Sequence, residues 1–226
     1  MLPSESIRNH SAGRSAPETP CLSVDSSFTE IEVWAEASGW DLDFRQLSAG
    51  RLNGRVRVLT GAHCTAMRVD LNQAYHQVGQ VSPDRLAFGL PHPSCGEFNW
   101  CRSRVEGGDI LNFNQEGGFD GTSGKSFSGC ALSFERKSLE ELAELLDLRV
   151  NLDELSHCGG TLSKASEETE RLRAQFALAF RRASKRASDG PLEASSLLGT
   201  GAAESILRLL ARSSGEQPRS VQPARR

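Results

Sequence analysis

The chain has 226 residues, 38% of them hydrophobic and 24% charged, enough for one ordinary domain with an addition or for two small ones. Its 26 basic and 29 acidic residues leave a net charge of −3, without the basic excess that a stand-alone nucleic-acid binder carries. The 21 glycines favour turns, and frequent turns favour short strands.

Residues 1 to about 22 are rich in Ser and Pro and lack periodicity, which predicts a disordered arm. From Ser23 to about Phe134, short apolar runs are cut by Gly, Pro and Asn. Trp40 to Leu47 alternates, and Gly50 ends the run. Arg55 to Thr60 alternates again, turns at Gly61-Ala62 and continues from His63 to Val69, the pattern of a β-hairpin. Further strands are expected at Tyr75–Val78, Arg85–Leu90, Glu97–Arg102, Asp109–Phe113 and Phe127–Phe134, with a turn at Gly107-Gly108. The uncharged run Ser128 to Ser133 reads as a strand buried on both faces. Gly121 to Ser126 reads as a hairpin loop, because it lacks the leading Gly of a phosphate-binding loop.

At Ser138 the period changes to that of a helix. Ser138-Leu139-Glu140-Glu141 has the form of a capping box, and Leu139, Leu142, Ala143, Leu145 and Leu146 are assigned to one face. A second helix is expected from about Ser166 to Arg186, with Leu172, Phe176, Ala179, Phe180 and Ala183 as its stripe. Acidic residues crowd its start and basic residues its end, as the helix dipole favours. Asp189-Gly190-Pro191 stops it. A third helix is expected over Glu193–Arg212, followed by a loose polar tail to Arg226 whose sparse arginines read as a solvated end. Strands first and helices second predict an α+β chain. Its parts are an arm (1–22), a mostly antiparallel β-barrel (23–135), a helical region (136–212) and a tail (213–226).

The stretch Gly39 to Gly54, with its aromatic-aspartate and Gln-Leu-x-x-Gly-x-x-x-Gly elements, resembles the start of the sensor domain in AraC/XylS-type transcription regulators. The resemblance continues through Val69–Gly79, Phe88-Gly89-Leu90-Pro91, Gly108–Phe113, Gly118-Phe119-Asp120 and Leu132-Ser133-Phe134. It covers roughly residues 24 to 150 well and the later helices loosely. It implies a cupin-like, jelly-roll-like barrel that senses a small-molecule effector, followed by helices that pair two chains. It also implies a C-terminal DNA-reading domain. After Arg212 too few residues remain for a helix-turn-helix, so no direct DNA binding is expected of this chain.

The rival readings are a metal-dependent cupin enzyme and a stand-alone small-molecule-binding protein. Gly108-Asp109 resembles the start of the second cupin motif, but Asp120 stands where a metal-binding His is expected, and His63, His76 and His92 are isolated. No metal, cofactor or catalytic residue is therefore expected. The six cysteines form no C-x-x-C pair and read as small hydrophobes. With no signal peptide at the start and no apolar run of membrane-spanning length, a cytoplasmic protein without a membrane partner is expected. Phe88, Phe98, Trp100, Phe113 and Phe127 are candidate ligand-lining residues because they fall on expected strands, with Arg68 and His76 as polar contacts. Leu172, Phe176, Ala179 and Phe180 are candidate dimerisation residues; packing on the chain's own barrel is the alternative.

Overall fold

A computed structural model of the chain describes residues 21–61, 64–105, 108–158, 160–162, 167–185 and 200–215. Its strands, in chain order, are β1 (Cys21–Phe28), β2 (Asp41–Gln46), β3 (Gly54–Thr60), β4 (Cys64–Leu71), β5 (Tyr75–Gln80), β6 (Arg85–Pro91), β7 (Phe98–Trp100), β8 (Ser103–Arg104), β9 (Leu111–Asn112), β10 (Phe119–Ser123) and β11 (Ser128–Glu135). The helices are α1 (Glu32–Ser38), between β1 and β2, then α2 (Arg136–Leu145), α3 (Glu167–Lys185) and α4 (Thr200–Gly215), with a 3-10 turn at Leu152–Ser156.

All strand pairs are antiparallel, and they form two sheets. One runs β1-β3-β4-β11-β6-β9 and the other β2-β5-β10-β7-β8. The expected hairpin is β3–β4, closed by the pair Thr60↔Thr65. The α+β class and the cupin-like layering are as expected. The barrel, however, is an open sandwich, because among the described residues no ladder joins the sheets and the edge strands β8 and β9 are only two residues long. The edge at β9 is covered instead by the segment 160–162, which bridges through Leu111↔Thr161 and so hides a row of free backbone groups.

The six-stranded sheet is buried on both faces. Successive side chains of a strand point to opposite sides, and here each side meets a different layer. Val56, Val58, Met67 and Val69 join Tyr75, Phe98, Trp100 and Phe119 of the second sheet in one core. Ala66, Phe88, Leu132 and Phe134 join Leu139, Leu172, Phe176 and Leu207 of the helices in another. β11 lies between β4 and β6, which explains its charge-free sequence. In the second sheet, Gly121 is required by close approach: a Cβ there would lie 2.6 Å from the Trp100 ring.

Several expectations are corrected. Cys21 and Leu22, assigned to the disordered arm, begin β1; residues 1–20 lie outside the described residues. Gly121–Ser123, read as loop, belong to β10, whose partners β5 and β7 supply the pairing that its weak local pattern does not announce. α1 was not foreseen; its Trp34 packs on Phe44 and Tyr75. The capping box at Ser138 does not form. β11 runs directly into α2, so Glu135 is the N-cap, the Arg136 amide donates to Asp84 O, and Ser138 Oγ donates to Glu135. Leu145, placed on the buried face, is 80% exposed. α3 matches the expected second helix within a residue at each end. The third begins at Thr200, and residues 193–199 lie outside the described residues.

Leu172 is fully buried against the six-stranded sheet. Replacing it with Ala should lower unfolding free energy by about 2–5 kcal/mol through lost transfer energy and a cavity. Urea denaturation at two protein concentrations checks this. The loss should be the same at both, because these contacts lie within one chain.

Candidate functional site

Four of the expected ligand-lining aromatics do meet. Phe98, Trp100, Phe113 and Phe127 form a connected cluster between the sheets, with Trp100–Phe113 centroids 4.5 Å apart and Phe98–Phe127 5.2 Å apart. They meet so closely that they fill the space. The cavity that Phe98, Phe113 and Phe127 line with Trp34, Trp40 and Tyr75 is about 30 Å³, about one water's share of liquid volume. A small-molecule site needs roughly 300 Å³ or more. Phe88 lies on the opposite face of the six-stranded sheet, in the core shared with the helices. His76 lies on the outer side of the second sheet, its Nε2 3.2 Å from Asp120 Oδ1. The seven candidates are thus distributed over separate places and form no single site.

A broad depression of about 840 Å³ lies beside that pair, lined by Asp41, Asp43, Glu116 and Asp120 among others. It is open to solvent, and its charged groups are mostly carboxylates free to stay hydrated.

The better enclosed space lies on the other side of the molecule, between α3 and the six-stranded sheet. This cleft holds about 340 Å³ and is lined by Arg68, Leu90, His92, Cys130, Arg173 and Phe176 among others. It exists because the helix-facing side of the sheet is not wholly apolar. Arg57 and Arg68 are direct cross-strand partners on β3 and β4, an arrangement of like charges that costs energy unless a counter-charge is near. Asp70 supplies one. Arg68 donates through Nε and Nη2 to its two carboxylate oxygens, at 3.3 Å each, and Arg57 Nη2 lies 3.7 Å away. Ser128 Oγ donates to the same carboxylate at 2.6 Å. The Arg57 guanidinium also lies 5.6 Å from the centre of the Phe180 ring, a cation–π distance.

From the helix side comes Arg173. Its Nη1 donates to the Pro91 carbonyl at the end of β6, and Glu170 Oε1 lies 3.4 Å from its Nε. Burial pulls the Arg173 pKa down, and the Glu170 carboxylate pulls it back up. Arg57 Nε, Arg173 Nε and Arg173 Nη2 are shielded from solvent without a hydrogen-bond partner among the described residues.

Of the expected ligand contacts, Arg68 alone stands in this cleft. Cys130, Glu170 and Arg173, which also line it, were missed, as was Arg57, which stands beside the cleft through Asp70. The signal was present: Arg57 and Arg68 interrupt strands that otherwise read as buried, and Arg173 follows directly on the stripe residue Leu172.

The stripe itself faces inward. Leu172, Phe176, Ala179 and Phe180 are each at most 2% exposed and pack within the chain's own core, the arrangement weighed above as the alternative to pairing. Among the described residues no group of three or more His, Cys, Asp and Glu is placed to hold a metal, and no described helix is long and apolar enough to cross a membrane.

No protein-family model matches the chain, and no curated protein matches it. Among solved structures, the crystal structure of the AraC-like transcriptional activator CuxR is similar in fold. The TM-score is 0.54 at 10% sequence identity, over 88% of this chain and 73% of that one.

The thiols under the helices give a pH test. Burial pushes the Cys64 thiol up to about 12 and the Cys130 thiol up to about 11, both well above the ordinary thiol range. The unfolded chain therefore releases these protons first, and their stabilising contribution, complete below pH 9, falls away as pH rises toward 11–12. Unfolding free energy measured from pH 8 to 11 should decline, and Cys130→Ala should flatten part of that slope.

Proposed function

We propose that the chain is the signal-binding portion of an AraC-type transcription regulator, and that its effector enters the cleft between α3 and the six-stranded sheet. The fold likeness to an AraC-like transcriptional activator over most of the chain carries this reading. The cleft supports it, because its 340 Å³ lies within the size range of small-molecule sites while the sandwich interior is filled. The ligand would act by changing how α3 rests on the sheet, and α4 packs on α3 within the same core. The net charge of −3 favours sensing over DNA reading by these residues. The protein would bind its effector without turning it over. In this reading two chains pair, through a surface other than the inward stripe of α3.

Ala177 lines the cleft and is only partly buried, so Ala177→Trp should fill the space without opening the core. A metabolite panel screened by thermal shift should yield a compound that raises the Tm of the wild type. That shift should disappear in Ala177→Trp while far-UV circular dichroism stays unchanged. A shift of equal size in both proteins would place the ligand elsewhere and contradict the proposal.

A further inference from the structure

Three arginines of this protein show what the side edge of a guanidinium does when a carboxylate is in reach. That edge carries the Nε–H and Nη2–H donors in a planar fork matched to two oxygens. Arg55 presents it to Asp25 at 2.8 and 2.9 Å, and Arg68 presents it to Asp70 at 3.3 Å twice. Arg173 has the same edge shielded from solvent and without a hydrogen-bond acceptor among the described residues. Glu170 stands near its Nε as an ion pair, but its side chain is 62% exposed and makes no hydrogen bond there. A guanidinium keeps its charge even when burial opposes it, so Arg173 cannot escape the need for an acceptor by losing a proton.

Arg68 and Arg173 line the cleft from β4 and α3. Asp70 is shared by Arg68 and its cross-strand partner Arg57, while Glu170 and Asp109 are the carboxylates that act on Arg173. His92 is the other titratable ring at the cleft, with its Nδ1 2.7 Å from Ser94 Oγ. The remaining lining is mostly apolar, with Leu90, Ala177, Phe176 and Phe180 beside Ser128 and Cys130.

We propose that this cleft binds a small organic oxyanion, a carboxylate or phosphate monoester. Its charged end takes the open edge of Arg173 and the neighbourhood of Arg68, and its apolar body lies against Phe176 and Phe180. The proposal rests on the reading of the cleft as the effector site. It also gives that site a device. The Arg173 edge is shielded from solvent, so the anion gains its fork only as the packing around Arg173 on α3 shifts. Ligand charge is thereby coupled to the seating of α3.

Isothermal titration and thermal shift with phenyl phosphate, phenylacetate and the neutral 2-phenylethanol test this, with inorganic phosphate as the bare anion. Both aryl anions should bind at least about tenfold more tightly than the neutral compound, as charge-assisted bidentate bonds demand. Arg173→Gln should remove most of that difference and leave 2-phenylethanol unchanged. Arg173→Lys should restore only part of it, because an ammonium lacks the planar fork. Glu170→Gln should strengthen anion binding by removing a nearby negative charge that repels the ligand. Arg55→Gln, remote in role because Asp25 already satisfies that residue, should change nothing. If the neutral compound binds as tightly as the anions, or Arg173→Gln leaves anion affinity intact, the proposal falls while the cleft stays a ligand site. If none of the compounds binds at millimolar concentration, both the proposal and the reading beneath it fall.

Discussion

The six-stranded sheet is covered on both faces, and the rest of the molecule follows from that. An antiparallel sheet of this size commonly leaves one side to water. Here the pleat sends Met67, Val69 and Val58 toward one layer and Ala66, Phe88, Leu132 and Phe134 toward another. The second sheet satisfies the first set and the helices satisfy the second. The helical region is therefore half of a hydrophobic core, and its removal would expose one face of the sheet along β4, β11 and β6. Any change in the seating of α3 is paid in that core, so a ligand bound beneath α3 would have mechanical leverage on α4.

The two cores differ in what they admit. The one between the sheets is aromatic and close-packed, as Trp100, Phe113 and Phe119 show by their ring contacts at 4.5–5.0 Å. Asn112 seals it on one side: its backbone carbonyl accepts from Trp100 Nε1 and its side chain donates to Leu155 O. The core under the helices carries an ionic seam of Arg57, Arg68, Asp70 and Arg173, where packing is interrupted and a cleft remains. Buried guanidinium groups with unmet donors are expensive. One of them, Arg173, lines the cleft beneath α3, and unmet donors beside a cleft are where a ligand would offset such a cost.

Much of the fold was legible in the sequence. Alternation at Arg55–Thr60 and the charge-free run at Ser128–Ser133 marked β3 and the central strand, because both patterns report burial directly. The 3.6-residue stripe from Leu172 marked α3. What failed was local chemistry overruled by context. Ser138 has the sequence of a cap but lies inside a helix that β11 enters without a break. β10 is held by two neighbours rather than by its own propensity. The site was less legible still. Aromatics on strands signal a pocket and a filled core equally well, and here they fill. The residues around the cleft are adjacent in space but come from β4, β6, β11 and α3, and no local pattern joins Arg68 to Arg173 across about a hundred residues of chain.

The central claim is that ligand binds beneath α3 and leaves the sandwich interior closed. Amide hydrogen exchange with and without phenyl phosphate tests it most directly, since exchange reports local opening segment by segment. The account predicts altered exchange in α3 around Glu170–Phe180 and in the facing parts of β4, β6 and β11, with β5, β7 and β10 unchanged. Changes confined to β5, β7 and β10, around Tyr75, Phe98 and Trp100, would place the ligand between the sheets and contradict it.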